Sequence, residues 1–101
     1  MRNTQDLLRE LDESVSKHQH VVMAVAFESG NAILIWPDDP ERQRHLDEAV
    51  GLSGIPLGLI AVDYANGERI ISTRVFPEYP EAGAARILDD LAVNMGQQIR
   101  H

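Results

Sequence analysis

Cysteine is missing from the 101-residue chain, which excludes both a disulfide framework and a thiolate zinc site and leaves stability to packing. Long apolar runs are missing too. The longest, Val21 to Phe27, is far too short to span a bilayer. The amino terminus, Met1 to Asp6, leads into a charged amphipathic stretch, so no signal peptide is expected and the predicted location is cytoplasmic. Glycines 51, 54 and 58 lack the Gly-Lys-Ser/Thr element of a phosphate loop and precede a strand-like segment. No nucleotide site is predicted there. Basic side chains are scarce, nine against sixteen acidic ones, and the net charge of −7 disfavours phosphate backbones and anionic membranes. The expected partners are therefore proteins, basic where charged, with no nucleic acid and no membrane.

What is present has the composition of a globular domain, 44% hydrophobic and 25% charged, in a length that fits a single core. One α+β domain over residues 1–101 is predicted. Asn3 or Thr4 is placed to cap a helix over about residues 4–18, with Leu7, Leu8, Leu11 and Val15 at helical spacing. Val21 to Phe27, Ser29-Gly30-Asn31 and Ala32 to Trp36 read as a β-hairpin. Asp39 is placed to cap, Pro40 to open and Gly51 and Gly54 to close a short helix over about residues 40–50. A second hairpin spans Ile55 to Phe76 around Asn66-Gly67, and a last helix begins at Pro80 and carries Ala84, Leu88, Leu91, Met95 and Ile99. The order helix, hairpin, helix, hairpin, helix predicts an antiparallel sheet of about four strands with helices against it.

The second half of this pattern repeats the first. Ala24-Val25-x-Phe27, Gly30 and Ile33-Leu34 return as Ala61-Val62-x-Tyr64, Gly67 and Ile70-Ile71, and Trp36-Pro37 returns as Phe76-Pro77. Either a ββα unit is duplicated, or two hairpins leading into proline-marked helices share a vocabulary. With two-residue turns in both hairpins, Met23, Val25 and Phe27 share a side with Ala32, Leu34 and Trp36, while Val22, Ala24 and Ala26 share the other with Ile33 and Ile35. Both sides are apolar. An antiparallel sheet commonly solvates one face, so the second face needs cover, either from the amino-terminal helix or from another chain. A homodimer follows as an expectation, with Val22, Ala24, Ala26, Ile33, Ile35, Trp36, Phe76 and Tyr79 as candidate interface residues.

From Ile55 onward the succession of strand, turn, strand, Phe76-Pro77, acidic residue and long amphipathic helix resembles the carboxy-terminal half of the type III secretion chaperone fold and of related small bacterial regulator-like proteins. The resemblance implies a dimer that binds segments of partner proteins, with no particular residue assigned to that task.

Chemical motifs are weak. His18-x-His20 has a metal-binding spacing but falls at a helix-to-strand junction, where the helix dipole favours histidine. Asp38-Asp39, Asp47-Glu48 and Asp89-Asp90 are adjacent pairs whose side chains diverge on helices, which suits caps and solvated faces better than acid-base work. Asp63 lies inside an apolar strand, with Arg69 and Arg74 as potential partners. No catalytic, metal or cofactor residue is assigned. The expected function is a small acidic protein-binding module, an adaptor, chaperone or inhibitor and not an enzyme; the alternatives are an acidic mimic of nucleic acid and a ligand-sensing domain.

Overall fold

The computed structural model describes residues 3–17, 20–79 and 82–98, in the order α1 (Thr4–Lys17), β1 (His20–Phe27), β2 (Ala32–Ile35), α2 (Arg42–Ser53), β3 (Pro56–Ala65), β4 (Glu68–Val75) and α3 (Ala82–Gln98). All strand pairs are antiparallel, and the sheet order is β2-β1-β3-β4. The fold is α+β, with three helices and one four-stranded sheet among the described residues.

Local chemistry accounts for most boundaries. Asn3 caps α1, its Oδ1 accepting the Asp6 N–H at 2.9 Å while the Asp6 carboxylate accepts the Asn3 N–H at 3.4 Å, a reciprocal pair that satisfies two otherwise unmet donors. The α2 start differs from expectation. Glu41 is the N-cap, without a side-chain capping bond, and Asp39 instead accepts the Glu41 N–H in the turn before the helix. Gly51 sits inside α2, and Gly54, at φ 87°, ends it. The β3–β4 turn is Asn66-Gly67 with φ of 53° and 78°, the double left-handed geometry of a type I′ turn. It fixes the register as Val62 with Ile71 and Ile60 with Thr73, the face assignment that the two-residue turn predicts.

The first hairpin corrects its predicted register. Phe27 N–H donates to Asn31 O at 2.9 Å and Gly30 N–H to Phe27 O at 3.0 Å, so the loop is Glu28-Ser29-Gly30, three residues long with Gly30 at φ 86°. One extra loop residue shifts the pairing by one and exchanges the faces of the whole partner strand. Met23 opposes Ile35 and Val25 opposes Ile33, whereas Ala24 opposes Leu34.

Both faces of the central strands are buried, each under its own helices. Leu7 and Leu11 of α1 and Leu46 and Ala49 of α2 pack on Met23, Val25, Phe27, Ile35, Leu59, Ala61 and Phe76. Ala84, Leu88 and Met95 of α3 close the other face over Val22, Ala24, Ala26, Ile60 and Val62. The cover expected from the amino-terminal helix or from another chain is therefore supplied by α3, and α1 lies on the opposite side. Across the helices, Arg42 reaches Asp12 at 2.8 Å and Thr4 donates to Asp47, joining α1 to α2, while Arg74 of β4 pairs with Glu10 of α1. The two sequence repeats do not become equivalent. A two-fold relating the antiparallel neighbours β1 and β3 would place both following helices on one face, yet α2 and α3 lie on opposite faces.

Gly58 lets α3 approach the sheet. A Cβ there would stand 2.4 Å from Arg74 O and 2.6 Å from Leu88 Cδ2, whereas one at Gly51 meets nothing within 4 Å. Gly58→Ala is predicted to cost about 2 to 3 kcal/mol in urea denaturation by overpacking, and Gly51→Ala to add about 0.5 to 1 kcal/mol by favouring the helix.

Candidate functional site

The surface that the helices leave open begins with strand parity. Phe27 and Asn31 close the first hairpin, and alternation from that pair puts Ile33 and Ile35 on the α1/α2 side and Leu34 on the α3 side. Trp36 follows β2 directly, and the same alternation assigns it to the Leu34 side. Helix α3 packs on β4, β3 and β1, and it leaves Leu34 44% exposed on the outermost strand and Trp36, directly after that strand, 51% exposed. Two large apolar side chains, two residues apart in the chain, are thus exposed at this end of the sheet.

The backbone beneath Trp36 is held from several directions. Trp36 O accepts the Asp39 N–H at 3.0 Å, closing a turn around Pro37 and Asp38. Arg42 donates to Pro37 O at 3.2 Å, and His45 Nδ1 lies 2.9 Å from Asp39 Oδ2. The turn is pinned to the first turn of α2, which holds the backbone at Trp36 on a fixed base. The work visible for the His45–Asp39 pair is positional.

The predicted interface residues divide sharply. Val22, Ala24 and Ala26 are buried beneath α3; Ile35 and Phe76 are buried on the α1/α2 side, where Ile33 is half-buried; Tyr79 packs against both clusters. Of the eight, Trp36 alone is exposed. Sequence reasoning missed Leu34 because it assumed a two-residue loop. The signal that finds it is Gly30, whose left-handed conformation ends a three-residue loop.

The remaining candidates have structural roles or fall outside the description. His18 lies outside the described residues, and of His20 only its place in β1 is described. Asp47 accepts from Thr4, Glu48 meets Arg44 at 3.2 Å, and Asp89 accepts from the Thr73 hydroxyl at 3.5 Å. The Arg44 guanidinium is pushed above its ordinary value, first by its hydrogen bond to Glu41 and then by the charges of Glu41 and Glu48. Asp63 is half-buried opposite Ile70, and Arg74 turns instead to Glu10. Among the described residues, no group of three or more His, Asp or Glu is placed to hold a metal ion, and no helix is long and apolar enough to cross a membrane. At the opposite end of the sheet, Ile71 and Thr73 of β4 with Asp89, Ala92 and Val93 of α3 line an open depression of about 400 Å3.

Compared with known proteins, no family model, no curated protein and no solved structure matches this chain.

The two aromatic-proline corners carry opposite burial and separate in a denaturation experiment. Phe76→Ala is predicted to cost about 3 to 5 kcal/mol, as for a fully buried ring, while Trp36→Ala costs about 1 kcal/mol or less.

Proposed function

We propose that the chain is a protein-binding module, an adaptor, chaperone or inhibitor that works by binding and not by catalysis, functions as a dimer, and receives its partner on Leu34 and Trp36. The observation that carries this reading is the exposed Trp36, 51% accessible on a turn already pinned to α2. A fixed aromatic anchor contributes a large contact area with little further ordering on association. Contiguous exposed apolar surface rimmed by polar residues favours a contact site.

Charge narrows the partner. Asp38 is exposed in the Trp36 turn, Glu28 is exposed at the far end of the hairpin, and the whole chain carries −7. The fitting occupant is a segment of another protein that offers apolar side chains to Leu34 and Trp36 and a lysine or arginine to the indole face or to these carboxylates.

Trp36 is the only tryptophan, so its emission reports this surface alone. Titration with short apolar peptides, with and without Lys or Arg, is expected to give a saturable blue shift for the basic set, weakened by salt. Leu34→Asp should weaken that binding about tenfold or more. Silence across the set, or equal affinity in Leu34→Asp, would rule the surface out.

A further inference from the structure

The two ends of the sheet are built differently. β2 has four residues and is followed closely by Pro37, a combination that blunts a sheet edge. β4 has eight, keeps an unbroken register against β3, contains no proline and carries uncharged Ile70, Ile71, Ser72 and Thr73 at its centre. Among the described residues, β4 has a strand neighbour on one side only. Phe76 N–H donates to Leu57 O at 2.9 Å, so by alternation the even-numbered residues of β4 bond to β3. The N–H and C=O groups of Arg69, Ile71, Thr73 and Val75 consequently point outward.

We infer that a second copy of this chain closes the edge, β4 against β4 in antiparallel pairing about a two-fold axis through Ile71, to form one continuous eight-stranded sheet. The inference rests on the dimeric part of the proposed function and is independent of the Trp36 partner. Only odd-numbered residues offer outward groups, so odd must pair with odd. Centring on Ile71 satisfies this and sets Glu68 against Arg74 of the second copy, twice by symmetry. These fall at the positions without backbone bonds, where opposed side chains come closest. Moving the axis to Ile70 or Ser72 keeps the parity but sets Glu68 against Ser72 or Phe76, and the charge pairs vanish. Arg69 of the second copy also lies opposite Thr73, whose hydroxyl donates to Asp89. Arg74 keeps Glu10 on its own chain.

Helix spacing agrees with this axis. α3 packs on β4 and β3; with strands about 4.8 Å apart, its axis stands about 5 Å from the two-fold, and two copies of α3 stand about 10 Å apart, a normal packing distance. From Thr73 to Ile71 the strand advances about 6.6 Å, and from Asp89 to Val93 the helix advances about 6 Å the same way. Val93 therefore stands level with the axis. Its 62% exposure and the depression it lines with Ile71 are covered by the same residues of the second copy.

Sedimentation equilibrium of the full chain is expected to give twice the 11.3 kDa monomer mass. Thr73→Pro removes an outward donor and leaves the β3 ladder intact, a place where an edge strand tolerates proline, and should give a monomer with unchanged circular dichroism. Glu68→Arg and Arg74→Glu should each weaken the dimer about tenfold, and the double exchange should restore it. Should Thr73→Pro unfold, the charge series decides alone. A wild-type monomer at every concentration, including one whose β4 edge takes a strand from another protein, overturns the proposal. So does a folded, dimeric Thr73→Pro, or a double variant no tighter than the single ones. None of these outcomes bears on the Trp36 titration, and failure of that titration leaves the dimer untouched.

Discussion

The pairing of β1 with β3 is the constraint on which the rest of this structure depends. Val22 to Phe27 and Leu57 to Val62, apart from Gly58, are apolar along their whole length, and both faces of both strands are buried. Such strands cannot leave a face in water, so two layers of helix are needed. The described residues form three helices, divided unequally. α1 and α2 occupy one face and α3 the other, and Gly58 gives α3 the close approach that its single layer requires.

Unequal cover leaves the edges bare in a diagonal pattern. On the α3 side, Leu34 and Trp36 project beyond the helix; on the α1/α2 side, Ile70, 47% exposed, stands opposite Asp63 at the far edge. The two edges suit different occupants for a physical reason. A short strand ended by proline offers side chains but little backbone, whereas a long regular strand offers backbone as well. In the proposed dimer the two Trp36 surfaces stand at opposite ends of an eight-stranded sheet, about 34 Å apart at the usual strand spacing. That separation suits two segments of one extended partner, for which linkage raises the effective concentration of the second contact.

The two proline corners show how one local grammar acquires two meanings. Trp36-Pro37-Asp38-Asp39 and Phe76-Pro77-Glu78-Tyr79 close the same turn, the fourth N–H donating to the first C=O at 3.0 and 2.9 Å. Yet Phe76 is fully buried and Trp36 is half exposed. The difference arises in the preceding hairpins. A three-residue loop places Trp36 on the α3 side at β2, beyond the helix; a two-residue turn places Phe76 on the side roofed by α1 and α2.

The sequence by itself determined the α+β class, the helical stripes of α1 and α3, the Asn66-Gly67 turn and the register that follows from it, because each depends on residues close together in the chain. It also showed that both faces of the first hairpin are apolar. Only the tertiary structure decided which helix covers which face, that Ala24 and Ala26 belong to the core, and that Leu34 and Trp36 remain at the surface. Periodicity tells how many faces are apolar but not what meets them. That choice depends on a single residue of loop length and on the packing of α3, more than fifty residues from β1 in the chain, against a strand whose own sequence is equally apolar on either side.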